Sequence, residues 1–89
     1  MTVRDNRSVS RFEMETSAGM AFIDYRRTNG IVTMIHAEVP PALQGRGMGA
    51  ELVRGALDLV SAGGETVIPR CSFVAAYIKR HREYHALLA

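Results

Sequence analysis

The sequence predicts an α+β fold: a mixed, mostly antiparallel sheet packed by two helices, in the order β-β-β-α-β-α. Three observations carry that expectation. Runs at 11–16, 20–27 and 31–39 alternate side-chain character with a period of two. The run from Met48 repeats apolar residues at helical spacing, and a short apolar run at 66–68 precedes a second helical pattern from Ser72. Three meandering strands that lead into one strand–helix–strand crossover make such a sheet.

Each element has its own local reason. In 11–16, Phe12 and Met14 alternate with charged neighbours, as in a half-buried strand, and Ser17-Ala18-Gly19 forms a turn. In 20–27, Ala21, Ile23 and Tyr25 share one face while Met20, Phe22 and Asp24 share the other. Asn29-Gly30 supplies positive φ at little cost, so a hairpin closes there. The run 31–39 is rich in Ile, Val and Thr. Its alternation groups Ile31, Thr33, Ile35, Ala37 and Val39 against Val32, Met34, His36 and Glu38. Pro40-Pro41 ends it, because proline donates nothing to a ladder. Met48, Leu52, Ala56 and Val60 then form the stripe of a helix that stops at Gly63-Gly64. Phe73, Val74, Tyr77 and Ile78 form one face of the last helix, with Tyr84, Leu87 and Leu88 continuing it.

At 89 residues the chain has room for one domain, expected at 10–89, with a core of modest size. Residues 1–9 are polar and read as a flexible leader. Apolar residues at 47% and charged residues at 22% describe a globular protein and not a disordered tail. A net charge of +2 does not call for nucleic acid as a partner. The single cysteine, Cys71, cannot build a disulfide framework, and three scattered histidines offer no metal-ligand spacing. With no apolar leader and no run near the ~20 residues a membrane span needs, the expected location is cytoplasmic, without a membrane partner.

The chemistry concentrates in Val39-Pro40-Pro41-Ala42-Leu43-Gln44-Gly45-Arg46-Gly47-Met48-Gly49-Ala50, where a strand leads through a loop into a helix. The first amides of a helix lack intrahelical partners and lie at the positive end of its dipole, which makes a ready phosphate site. The three glycines let a diphosphate approach the main chain, and Arg46 adds a permanent charge. Gly45-x-Gly47-x-x-Ala50 also satisfies the dinucleotide fingerprint, with Glu65 at a suggestive distance. That fingerprint belongs at the tip of the first strand of a doubly wound sheet, whereas here three strands and a proline loop come first. A Walker loop is excluded, since no Gly-Lys-Ser/Thr follows.

Gln44-x-x-Gly47-x-Gly49 resembles the Gln/Arg-x-x-Gly-x-Gly/Ala signature of the GNAT (Gcn-five-related N-acetyltransferase) superfamily. His36-x-Glu38-Val39-Pro40, Cys71-x-Phe73-Val74 and Tyr77-x-x-x-His81-x-x-Tyr84 are similar to the pattern of a compact subfamily of GNAT-like proteins. The resemblance covers roughly residues 12–87. It implies a small GNAT-like fold, acetyl-CoA as cosubstrate and transfer of its acetyl group to an amine or protein acceptor. The cosubstrate would be held by Val39, Gln44, Gly45, Arg46, Gly47, Met48, Gly49 and Ala50, its pyrophosphate on the amides of Gly45 to Ala50 and its pantetheine arm beside the strand ending at Val39. Larger relatives carry extra N-terminal helices that shape the acceptor site, for which this chain has no room.

Four residues are candidates for the chemistry. Glu38, the carboxylate nearest the motif, is either a base or a solvated strand-end charge, and His36 is either a base or a packed histidine. Tyr77 stands where GNAT enzymes place the acid that protonates the departing thiolate, and it also falls on the apolar stripe of the last helix. Cys71, just ahead of that helix, is either an acyl-accepting thiolate or a small buried hydrophobe. Lys79 and Arg80, in the densest basic run, are either contacts to the adenosine phosphates or a solvated face. Two further readings stay open: a non-catalytic acetyl-CoA-binding or sensing protein, and a small RNA-binding module. No aromatic residues interleave the arginines, as base stacking would require.

Overall fold

The computed structural model describes all 89 residues. Five strands form one sheet in the order β1 (Val3–Asn6), β2 (Arg11–Thr16), β3 (Gly19–Thr28), β4 (Ile31–Glu38) and β5 (Thr66–Pro69). The first four pair antiparallel, and β4 pairs parallel with β5. Helix α1 (Met48–Ala62) makes the crossover between β4 and β5, and α2 (Ser72–Arg80) follows β5. The β3–β4 hairpin closes on Asn29 and Gly30 at φ 51° and 77°, the left-handed pair that the sequence called for.

Both helices join one core on one face of the sheet. Phe12 and Met14 of β2, Ala21, Ile23 and Tyr25 of β3, and Val32 and Met34 of β4 meet Leu52, Val53, Ala56, Leu57 and Val60 of α1 there. Val74, Tyr77 and Ile78 of α2 belong to the same cluster. The opposite face is open, and ion pairs hold its polar residues in place. Arg4 Nη2 lies 3.1 Å from Glu13 Oε1, and Arg11 pairs with Asp24 at 2.8 Å while its guanidinium covers the Phe22 ring.

Three expectations are corrected. Residues 3–6 are no leader but the edge strand β1. Val3 packs over Gly55, where a Cβ would lie 2.4 Å from its Cγ2, and Asp5 pairs with Arg27 at 2.9 Å and accepts from the Tyr25 hydroxyl. Those partners lie 20 or more residues along the chain, so the polar N-terminal sequence reads as solvated. Second, the alternation of β4 does not run unbroken. Asp24 pairs with His36 and Tyr25 with Met34, leaving Ile35 unpaired as a bulge. Val32 and Met34 face the core before the bulge; after it, Ala37 shares the core-side face with its cross-strand partner Ile23. Third, α2 stops at Arg80. Nδ1 of His81 and Nε2 of His85 donate to the carbonyls of Tyr77 and Ile78, which closes the helix end. Tyr84 and Leu87 continue on a 3-10 segment, Arg82–Leu87, that folds back so that Tyr84 donates to Asp58 on α1.

Candidate functional site

Pairing between β4 and β5 ends at Met34 and Pro69, and the Cys71 amide donates to the Met34 carbonyl at that point. Beyond it the last residues of β4 have no neighbour on the β5 side, and the strands part like a fork. A cleft of about 570 Å³ opens beside the free end of β4, between α1 and α2. Ala37 and Val39 form its β4 wall, the 44–50 loop its rim, and Leu52, Phe73 and Tyr77 its helical side.

The loop is built from the residues upward. Buried Leu43 anchors a short 3-10 turn, Pro41–Leu43, and the Gln44 side-chain amide donates to the Val39 carbonyl at 3.3 Å, tying the loop to the strand end. Gly45 and Gly47 take φ of 79° and 78°, with nothing near where a Cβ would stand. Alternating left-handed residues of this kind turn successive amides toward one side. Glu51 N–H donating to Gly47 O is the first bond of α1, and the amides from Gly45 to Ala50 donate to no protein acceptor. Those free donors at a helix N-terminus make a concave anion site. Arg46, Arg54 and Arg80 add positive charge around it, and no carboxylate pairs with any of them.

Of the residues expected here, Val39, Gln44, Gly45, Gly47, Gly49, Ala50, Tyr77 and Arg80 line the cleft. Arg46 and Met48 line a second cavity of about 340 Å³ beside it. Lys79 is exposed and borders neither. Tyr77 is 7% exposed, and its hydroxyl has no hydrogen-bond partner in the protein. Burial raises its pKa, against the pull of the nearby Arg54 charge, so at neutral pH it is a protonated donor.

His36 and Glu38, the candidate bases from the sequence, do not line the cleft. They pair across to Asp24 and Phe22 and so point to the open face of the sheet, 3.5 Å from each other. The bulge at Ile35 is the reason: it turns Ala37 to the cleft side and leaves these two outside. Cys71 sits at the fork, half-buried against the core, and borders neither cavity.

Three further residues belong to the site: Arg54, which sequence reasoning did not single out, and Phe73 and His81, which it quoted only within motifs and, for His81, the basic run. Phe73 was assigned to the core, but it is 45% exposed and its ring covers Gly49, where a Cβ would meet it at 2.7 Å. His81 lines both cavities and stacks on Tyr77 at a centroid distance of 3.8 Å; the i,i+4 spacing was the available signal. Arg54, one turn beyond Ala50 on the same helix face, follows the same rule. No three His, Cys, Asp or Glu residues are placed to hold a metal ion, and no helix is long and apolar enough to cross a membrane.

Known proteins give the arrangement a context. The profile of the family described as GCN5-related N-acetyl-transferase matches residues 11–87. Among solved structures, the fold is similar to that of a GCN5-like, proposed N-acetyltransferase from Staphylococcus aureus, determined in solution by NMR. The two superpose with a TM-score of 0.73 over 98% of this chain and 86% of that one, at 20% identity. At that identity the likeness establishes the fold.

Proposed function

We propose, because the chain belongs to the GCN5-related N-acetyltransferase family, that it binds acetyl-CoA in the cleft between its helices and transfers the acetyl group to an amine. The observation that carries this reading is the run of amides from Gly45 to Ala50 that donate to nothing in the protein. Free donors gathered at a helix N-terminus favour an anion, and a diphosphate satisfies several at once.

The residues present fit such a ligand. The cleft is of the size that small ligands occupy, its rim is cationic and its walls are apolar. The loop amides and Arg46 would hold the diphosphate, and Gln44 keeps the loop against the strand end. The β4 edge beyond Met34, free of β5, offers backbone groups to the amides of an extended arm, with Ala37, Val39 and Phe73 along its apolar stretches. Acetyl-CoA would supply an activated acetyl thioester. Tyr77 keeps its proton at neutral pH and offers it into the cleft as the general acid. Glu38 and His36 serve an amine that arrives on the open face of the sheet, where the Glu38 carboxylate attracts the ammonium form and the pair takes up a proton. Direct transfer is favoured over an acyl-cysteine, because Cys71 borders neither cavity.

The test is thiol release from acetyl-CoA in the presence of a panel of polyamines, small primary amines and lysine peptides. Acceptor-dependent release is expected, with kcat lowered about 10²-fold in Tyr77→Phe and in Glu38→Gln. Binding of acetyl-CoA with no release on any acceptor would replace catalysis with the sensing role.

A further inference from the structure

Tyr77 borders two open spaces, the cleft and the second cavity in the groove between α1 and α2. Its hydroxyl donates to nothing in the protein, unlike those of Tyr25 and Tyr84, so no polar contact decides which space the phenol addresses. Ring contacts decide it instead. His81 lies flat on the Tyr77 ring, with centroids 3.8 Å apart and planes 12° from parallel. Tyr84 stands 6.1 Å from Tyr77 at a tilt of 39°, held in turn by its bond to Asp58 at 2.8 Å.

His81 is itself fixed at three points. Its backbone N–H donates to the Ile78 carbonyl at 3.1 Å, and its carbonyl accepts from the Tyr84 N–H at 3.0 Å. Nδ1 donates to the Tyr77 carbonyl at 2.7 Å, a bond that places the neutral ring's proton on Nδ1. The ring that covers Tyr77 is thus anchored to the backbone of Tyr77, as the i,i+4 spacing on a helix allows. Such anchoring matters to an acid. A general acid must hold its proton within hydrogen-bond reach of the leaving atom, and a displacement of about 1 Å can cost roughly 10²-fold. In the proposed transfer the Tyr77 O–H bond breaks and the S–H bond of coenzyme A forms, and the phenolate regains a proton from water at the open cleft.

Resting on that transfer, we infer that His81 is a positioning residue for Tyr77: its stacked ring holds the phenol so that the hydroxyl points into the cleft. His81 touches no reacting atom in this role and acts through Tyr77 alone. Phenylalanine at 81 keeps a flat ring and loses the Nδ1 bond, whereas leucine loses both, so the two variants differ in the stacking.

The experiment measures acceptor-dependent thiol release by the wild type, His81→Phe, His81→Leu, Tyr77→Phe and the Tyr77→Phe/His81→Leu double variant. His81 is half-buried at the end of α2, so these variants are expected to fold. His81→Gln, which also lacks a ring, replaces a His81→Leu protein that does not. His81→Leu should lower kcat about tenfold while KM for acetyl-CoA stays within about twofold, and His81→Phe should keep kcat within about threefold of the wild type. The double variant should be no slower than Tyr77→Phe, because the stacking then has no hydroxyl left to aim. Wild-type kcat in His81→Leu, or equal losses in His81→Leu and His81→Phe, overturns the positioning role and leaves the acetyl-transfer reading standing. A His81→Leu loss that persists in full on the Tyr77→Phe background overturns it too, since His81 then acts without Tyr77. No release by the wild type on any acceptor overturns the transfer reading and this inference with it.

Discussion

At the scale of residues, the site depends on what glycine permits. Gly45 and Gly47 stand in open space at positive φ, so a side chain there strains the backbone without meeting a neighbour. Gly47→Ala is therefore expected to remain folded, with a loss of about 1–2 kcal/mol in urea denaturation. Its acetyl-CoA affinity should fall by more than that strain accounts for, because the amides no longer converge. The Gln-x-x-Gly-x-Gly spacing made this loop legible in the sequence. The groove beside it was not, because only the packing of α2 against α1 brings His81 and Arg54 to one cavity. The tyrosines carry a second prediction. All three have raised pKa values: Tyr25 and Tyr77 chiefly through burial, Tyr84 through burial and its bond to Asp58. In the unfolded chain they release their protons near the ordinary value of about 10. Their contribution to stability is thus complete below pH 10 and declines as pH rises above it toward the folded-state values. Phenolate absorbance of the folded protein should lag behind that of the urea-unfolded chain, and the denaturation midpoint should drop above pH 10. Coincident titration curves would refute the assigned burial.

At the scale of elements, period and punctuation made most of the fold readable. The Asn29-Gly30 hairpin, the α1 stripe and the short parallel strand at 66–69 follow from local pattern. What local pattern could not reveal is settled by distant partners. β1 is held by Val3 over Gly55 and by Asp5 against Arg27, none of which leaves a signal within residues 1–9. This makes Gly55→Ala a test of element packing. Alanine favours the helix by ~1 kcal/mol over glycine, yet here its Cβ would overlap Val3. A net destabilisation of about 1–3 kcal/mol is expected, with Val3→Ala in the same chain recovering much of it. A stabilised Gly55→Ala protein would show that β1 does not lie on the helix. The Ile35 bulge likewise escapes a strict period of two, and it alone decides that Ala37 faces the cleft while His36 and Glu38 face outward.

For the whole molecule, the helices cover one face of a five-stranded sheet and the other stands open, so in the proposed reaction cosubstrate and acceptor approach from opposite sides of β4. The α+β class and the family were legible because hydrophobic period and the glycine loop are both local. The division of proposed roles between the two faces was not, because it arises from one unpaired residue in a strand. The central claim, that the free amides of the loop hold the cosubstrate's diphosphate, is tested most directly by nitrogen–proton correlation spectra of the labelled protein titrated with acetyl-CoA. The amide resonances of Gly45 to Ala50 should move downfield saturably and further than any others, as donors that had no acceptor gain one. Saturable binding that leaves those six resonances in place, or no binding by the folded protein, would contradict the claim.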